Sequence, residues 1–150
     1  MEKLIKILAT ALGAGYMPKA PGTFGSLWGV ALFYVLKDQP LSIMLAISTV
    51  VTLLAILVSG RAEKLWGQKD CQRIVIDEVA GQLCLYTFVS YSLFNLLVGF
   101  FLFRLFDVVK IFPADKAQNL RGGLGVVADD VVAGIQGGIV LYLLNTYLPL

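Results

Sequence analysis

The sequence predicts an all-α fold: a small integral membrane bundle of about five helices in one domain, residues 1–150. Of the 150 residues, 58% are hydrophobic and only 15% are charged, whereas soluble domains are about 45–50% apolar. The strongest candidate span, Leu41–Gly60, has 20 residues without a charge, which is the length of a membrane-crossing helix. The basic residues also fall almost entirely on one side of the predicted bundle.

The first half of the chain contains three expected helices. The apolar stretch Leu4–Leu12 contains Lys6, and no convincing signal-peptidase cleavage site follows it, so we expect residues 2–14 to form an interfacial helix that the mature protein retains. The apolar run Phe24–Leu36 is short for a membrane span. Leu41–Gly60 is the strongest span, and an amphipathic segment, Arg61–Gly67, is expected after it at the cytoplasmic face.

The second half is expected to contain three spans. As one helix, the 28 residues of Val79–Phe106 would be about 42 Å long, which exceeds one comfortable span. Two short spans that fold back near Ser90–Ser92 fit better. The last span is expected over Val131–Leu148, where three glycines allow close contact between helices.

The basic residues support this hairpin. With it, eleven of the twelve Lys and Arg residues lie on one side of the membrane and only Lys37 lies on the other. A single span would divide them seven to five. Because positively charged loops remain in the cytoplasm, the basic side is assigned to the cytoplasm. Nine of the ten acidic residues share that side, so the polar chemistry is expected in catalytic loops at the cytoplasmic face.

Composition also excludes several kinds of site. Histidine is absent, which rules out Ser-His-Asp catalysis, histidine phosphotransfer and histidine metal ligands. Cys71 and Cys84 form no CxxC pair and are too few for a zinc site. A net charge of only +2 argues against nucleic-acid binding, which requires clustered basic residues. Catalysis would therefore use carboxylates, Lys, Arg, hydroxyls and a metal ion.

Five carboxylates lie where polar loops meet apolar helices. Asp77 and Glu78 open the third span, Asp107 closes the fourth, and Asp129 and Asp130 open the fifth. Buried like charges are costly unless a cation neutralises them, and hard divalent cations prefer oxygen ligands. The helix dipole would explain the acids in first turns, but it disfavours Asp107 at a C-terminal end. The pattern therefore predicts a metal site shared by three helices.

Two further features predict a phosphate site. Arg104 and Lys110 flank Asp107 by three residues on either side, and on a continuous helix all three would share one face. Both cations suit phosphate oxygens, although both would also anchor a helix end at the interface. A glycine-rich segment opens the span before Leu41, and helix N-termini favour anions. Thr23 and Ser26 in that segment are candidate substrate-binding residues.

Four blocks of the sequence resemble the phosphatidylglycerophosphatase A family: PGTFGSL, IVIDEVAGQ, FRLFDVVK and LRGGLGVVADDVVAGI. They occur in the family's order and at similar spacing from Pro21 to Ile135. The resemblance implies a multi-pass enzyme of the bacterial inner membrane, with its active site facing the cytoplasm. Such an enzyme hydrolyses phosphatidylglycerophosphate to phosphatidylglycerol and phosphate with Mg²⁺, in phospholipid biosynthesis.

The resemblance also suggests residue roles. Three carboxylates are expected to bind Mg²⁺: Glu78, Asp107 and Asp130. Either Asp77 or Asp129 would orient or deprotonate the attacking water, and Arg104 and Lys110 would hold phosphate oxygens.

Several alternatives remain open at this point. A covalent aspartyl-phosphate, a homo-oligomer and a regulatory relative without activity all agree with the residues. A membrane transporter is disfavoured because the interiors of the spans carry no ionisable group. A CDP-alcohol phosphotransferase is disfavoured because its DGxxAR pattern is missing.

Overall fold

The computed structural model describes residues 1–148, which form seven α-helices, one 3₁₀ turn and no strand. The helices are α1 (Glu2–Ala9), α2 (Pro21–Val35), α3 (Leu41–Trp66), α4 (Ile76–Tyr86), α5 (Leu93–Val109), α6 (Ala114–Ala117) and α7 (Gly123–Tyr147). The all-α class predicted from the sequence is confirmed. Two helices, α3 and α7, are long and apolar enough to cross a membrane, and the count of about five membrane helices stays a prediction.

Helix α4 is the centre of the bundle and packs against α2, α3, α5 and α7. Eight of its 11 residues are buried. A helix of this length rises about 16 Å, roughly half the thickness of the hydrocarbon core. Its four neighbouring helices enclose α4. Because α4 is too short to cross a membrane alone, a membrane span at this point would also have to include the turn that follows it.

The contact between α4 and α7 depends on glycine. A Cβ atom on Gly81 would lie 2.5 Å from the carbonyl oxygen of Asp130, and a Cβ on Gly134 would overlap the carbonyl oxygen of Gly81. The close helix contact predicted from the glycines of the last span is confirmed. Because the two backbones touch here, Asp130 is held beside the N-terminal half of α4.

Helices α4 and α5 are separate, so the predicted break within Val79–Phe106 is confirmed. The turn between them is held by side-chain hydrogen bonds. The Asn95 backbone N–H donates to the Ser92 hydroxyl oxygen at 3.0 Å, and the Asn95 side chain donates to the Ser90 carbonyl at 2.9 Å. These bonds cap α5 and return the chain antiparallel to α4.

Five helices, α2, α3, α4, α5 and α7, run through the bundle in alternating directions. Near the end of α3, Gly60 meets Gly123 at the start of α7. Near the end of α7, Asn145 donates a 2.9 Å hydrogen bond to Asn95 at the start of α5. The N-termini of α2, α4 and α7 and the C-termini of α3 and α5 therefore share one end of the bundle, which we call the polar end.

The first helix is shorter than the sequence suggests. It ends at Ala9 because Ala11, Leu12 and Gly13 have φ angles of 44°, 60° and 102°, which a right-handed helix does not contain. The buried Thr10 side chain accepts a hydrogen bond from the Gly13 N–H at 3.1 Å. The helix expected over residues 2–14 is therefore a short helix followed by a left-handed turn, and its place at a membrane interface stays a prediction.

The segment Arg61–Gly67 is not a separate amphipathic element. It continues α3, which runs unbroken to Trp66 and ends where Gly67 adopts a φ of 63°. The boundary was missed because the change from apolar to charged residues at Arg61 does not coincide with the end of the helix.

Helix α7 begins earlier than the expected Val131. Its first residue is Gly123, and a Cβ atom there would overlap the carbonyl oxygen of Ile56 on α3. Asp129 and Asp130 are therefore in the second turn of α7 and not in its first, one turn deeper in the bundle than the sequence indicated.

Candidate active site

One cavity at the polar end contains every charged residue predicted for the site. It has a volume of about 410 Å³ and lies between the start of α2, the start of α4, the end of α5 and the second turn of α7. Its predicted charged lining residues are Asp77, Glu78, Arg104, Asp107, Lys110, Asp129 and Asp130. We call it the acidic cavity.

Three carboxylates form its closest group. Oxygen atoms of Asp77, Glu78 and Asp130 all lie within 4.8 Å of one another. Asp77 and Asp130 are only 6% and 4% exposed. The two ion pairs found within residues 1–148 are Arg104–Asp107 and Lys110–Asp129, and neither involves these three side chains. Buried like charges repel strongly, so a cation between them would stabilise the group.

Two buried carboxylate oxygens in the cavity lining have no hydrogen-bond partner in the described part of the chain, namely Glu78 Oε2 and Asp129 Oδ1. Buried polar atoms are normally paired, so unpaired carboxylate oxygens are available as ligands. The donors are all oxygen atoms, which hard cations such as Mg²⁺ and Ca²⁺ prefer. The residues therefore fit a hard divalent cation.

The fourth carboxylate, Asp107, is paired. Its Oδ2 lies 2.6 Å from Nη1 of Arg104, one turn earlier on α5. The same nitrogen donates to the Ser26 hydroxyl of α2 at 3.4 Å. Ser26 is fully buried and donates to the Gly22 carbonyl at 3.0 Å. Asp107 and Ser26 thus hold the Arg104 guanidinium at the wall of the acidic cavity.

Lys110 forms its ion pair with a residue of α7, although its sequence position suggests that it shares a helix face with Arg104 and Asp107. Its φ of 48° ends α5, so it leaves the face shared by Arg104 and Asp107. Its Nζ lies 2.5 Å from Oδ2 of Asp129 on α7. Burial lowers the pKa of Lys110, but the hydrogen bond and the charge of Asp129 outweigh it and keep that pKa above its ordinary value. Lys110 is therefore a fixed cation at neutral pH.

The glycine-rich start of α2 lies directly against the carboxylates. A Cβ atom on Gly22 would overlap the Glu78 carboxylate and would lie 3.2 Å from Nη1 of Arg104. Glycine at this position therefore gives α2 room to approach the start of α4.

The two hydroxyl residues of this segment lie outside the cavity lining, which includes Pro21 and Gly22 but neither Thr23 nor Ser26. Ser26 contacts the site through Arg104, whereas Thr23 is half-buried near the start of α2. Direct contact of Thr23 or Ser26 with a substrate stays a prediction.

Two polar lining residues were not identified from the sequence, Asp70 and Gln72. Both belong to the turn between α3 and α4. Asp70 has a φ of 48°, and its N–H donates to Oε1 of Glu63 at 2.8 Å. The available signal was the polar run Gln68–Arg73, which immediately precedes the carboxylates of α4.

Comparison with known proteins gives a family match over most of the chain. The family model described as phosphatidylglycerophosphatase A matches residues 7–145. A Bacteroides thetaiotaomicron protein named "Putative phosphatidylinositol-3-phosphatase" is 34% identical over 144 residues, which cover 90% of this chain and 89% of that protein.

Two proteins named phosphatidylglycerophosphatase A are also similar. The Escherichia coli protein is 29% identical over 96% of this chain and 85% of its own length. The Haemophilus influenzae protein is 33% identical over 96% of this chain and 90% of its own length. No solved structure is similar to the chain.

Proposed function

We propose, from the premise that the chain belongs to the phosphatidylglycerophosphatase A family and is a phosphatase, that it hydrolyses phosphatidylglycerophosphate to phosphatidylglycerol and phosphate. The observation that supports this most is the acidic cavity, in which five carboxylates and two cationic side chains from three helices meet. Carboxylates that can hold a divalent cation, beside fixed positive donors, are the parts that phosphoryl transfer requires.

Mg²⁺ is the cation we assign to this cavity, because its oxygen donors fit a hard ion and because the family resemblance implies it. The carboxylates of Asp77, Glu78 and Asp130 would hold it. Asp107, which the sequence suggested as a ligand, is paired with Arg104, so we assign Asp107 to positioning that guanidinium. When bound, the ion supplies positive charge that stabilises negative oxygens of the phosphate during the reaction.

Arg104 and Lys110 would bind the phosphate oxygens. A guanidinium has five N–H donors, so the contacts of Arg104 with Asp107 and Ser26 leave donors free for the substrate. Lys110 lines the same cavity and is held there by Asp129. Two cations fixed in advance by partners on the protein orient the phosphate with little loss of side-chain entropy.

Asp129 is the group we assign as general base. Its Oδ2 accepts from Lys110, whereas its buried Oδ1 has no partner among the described residues. That oxygen would take a proton from the attacking water. The new bond joins the water oxygen to phosphorus, the bond from phosphorus to the glycerol oxygen breaks, and the released alkoxide takes a proton from solvent.

We further propose that the acidic cavity faces the cytoplasm. Five helices alternate in direction, two of them long and apolar enough to cross a membrane. The one basic residue expected at the opposite end is Lys37, whose Nζ lies 4.6 Å from the ring centre of Tyr34. The other basic residues belong to segments at the polar end, which the positive-inside rule assigns to the cytoplasm.

A second lipid substrate is favoured by one relative. The Bacteroides protein is named for phosphatidylinositol 3-phosphate, and that lipid also carries a phosphomonoester on a polyol headgroup. The acidic cavity would bind the phosphomonoester of either lipid.

The test is phosphate release by the purified protein in detergent micelles. Phosphatidylglycerophosphate, phosphatidylinositol 3-phosphate and phosphatidic acid are compared, each with Mg²⁺ and with excess EDTA. We expect release that depends on Mg²⁺ and is fastest from phosphatidylglycerophosphate. Fastest release from phosphatidylinositol 3-phosphate would assign that substrate instead, and no release from any of the three would refute the proposal.

A further inference from the structure

Three cavities continue from the acidic cavity along one side of α2. The first has a volume of about 700 Å³ and shares four lining residues with the acidic cavity, among them Pro18 and Pro21. The second, of about 490 Å³, meets the first at Met17. The third, of about 330 Å³, shares Trp28 and Ala31 with the second. The segment from Met17 to Pro21 thus connects them to the carboxylates.

The chemistry of the lining changes steadily along this path. The cavity next to the carboxylates is polar, with Arg73, Gln68 and Gln72 in its wall. The side chains that line the second and third cavities are aliphatic or aromatic, without a charged residue. We call these two together the apolar groove. The order from charged through polar to apolar is the order of terminal phosphate, headgroup and acyl chain in a phospholipid whose headgroup ends in a phosphomonoester.

The groove is preformed, because its wall is tied to the body of the protein. Leu12 lines both of its cavities and is 67% exposed, with a left-handed φ of 60°. The turn that holds Leu12 is anchored on both sides. The Ala9 carbonyl accepts a 2.9 Å hydrogen bond from the Val75 N–H, and Gly15 packs directly on the backbone of Arg73.

We propose that the apolar groove holds one acyl chain of the lipid substrate while the adjoining polar cavity holds the headgroup beyond the scissile phosphate. This inference rests on the proposed function, since it takes the substrate of the acidic cavity to be a lipid. The volumes lie in the range of roughly 300–1,000 Å³ that is usual for ligand sites. A lipid tail already has apolar surroundings in a bilayer, so the groove contributes orientation more than burial energy.

The groove predicts a difference between acylated and deacylated substrates. Ala31 is exposed in the groove, so Ala31→Phe adds a ring there without disturbing the core. Ala46→Phe is the matched control, because Ala46 is an exposed alanine of α3 that does not line the groove. For Ala31→Phe, kcat/KM should fall about tenfold with the diacyl lipid. With the deacylated headgroup phosphate it should be unchanged, and Ala46→Phe should leave both unchanged.

Equal losses on both substrates, or equal losses in both variants, would overturn the proposal. A binding measurement separates this inference from the proposed function. Trp28 lines the groove, and Trp66→Phe leaves it as the single tryptophan. The probe is a non-hydrolysable analogue of phosphatidylglycerophosphate, with a phosphonate in place of its terminal phosphate and with brominated chains, added with Mg²⁺ in detergent. Brominated phosphatidylserine, which has no phosphomonoester, is the comparison.

The phosphonate lipid should quench Trp28 fluorescence more than phosphatidylserine at the same mole fraction, and Ala31→Phe should remove the difference. Equal quenching by the two lipids would show that any membrane lipid fills the groove, and would overturn the inference. Selective quenching in a protein that releases no phosphate would instead count against the proposed function and leave the groove assignment standing.

Discussion

Replacing Asp130 by Asn changes activity and stability in opposite directions if this residue holds a cation. The side chain is 4% exposed, and an oxygen atom of it lies within 4.8 Å of oxygens from Asp77 and Glu78. Asparagine keeps the shape of the buried group and removes its charge. The variant therefore loses a ligand for the cation, and in the absence of the cation it also loses a source of repulsion.

The structure gives the size of both effects. Two unit charges 4.8 Å apart repel by about 3.5 kcal/mol at an effective dielectric constant of about 20. Crowded carboxyl groups avoid part of this cost by binding protons, so we expect Asp130→Asn to stabilise the metal-free protein by about 1–3 kcal/mol. Loss of a ligand to the ion should lower kcat about a hundredfold or more, which corresponds to roughly 3 kcal/mol.

Two measurements on the same samples test this prediction. Thermal unfolding in EDTA gives the stability without metal, and phosphate release with Mg²⁺ gives the turnover. Asp115→Asn is the matched control, because Asp115 is exposed on α6 outside the acidic cavity, and it should change neither. A variant Asp130→Asn that unfolds at a lower temperature in EDTA and keeps its turnover would show that the carboxylate has a structural role and does not bind metal.

Three further predictions follow from the same site. Excess EDTA should abolish phosphate release and Mg²⁺ should restore it, and full turnover in EDTA would exclude the metal. Lys110→Gln should lower kcat/KM about tenfold to a hundredfold, because it removes a phosphate donor and leaves Asp129 without its partner; the exposed Lys116→Gln is its control. A reporter inserted near Ala117 should be cytoplasmic and one fused to the C-terminus extracytoplasmic, so finding both on one side would contradict the five-span arrangement.

The carboxylates of the site were predictable because each one interrupts an apolar run. Asp77 and Glu78 stand at the start of a helix in both sequence and structure, and Asp107 stands near the end of one. The chain direction that brings these ends together followed from the basic residues and the hairpin. Local patterns of charge and hydropathy therefore predicted which residues meet at one end of the bundle.

The pairing of these residues was not predictable in the same way. Arg104 and Asp107 are one turn apart on a helix, so their ion pair is a local feature. The partner of Lys110 is Asp129, 19 residues later, and this depends on Lys110 leaving the helix through a left-handed backbone. It also depends on the depth of Asp129 in α7, which is fixed by packing against α3. Neither property is encoded in the spacing of charges.

If the acidic cavity is the catalytic site that we propose, the backbone contact between Gly81 and Gly134 makes the separation of α4 and α7 a catalytic parameter. Ordinary contacts of a Cβ atom are 3.4–4 Å, whereas a Cβ on Gly81 would stand 2.5 Å from the carbonyl of Asp130. An alanine at this point would therefore displace α7 by about 1 Å, a shift that can cost about a hundredfold in rate when reacting groups lose alignment. Asp130 would move with α7 while Asp77 and Glu78 stayed on α4, so the opening between the ligands would widen. In the proposed metal site, the size of the ion that the cavity accepts would thus depend on two residues that have no side chain.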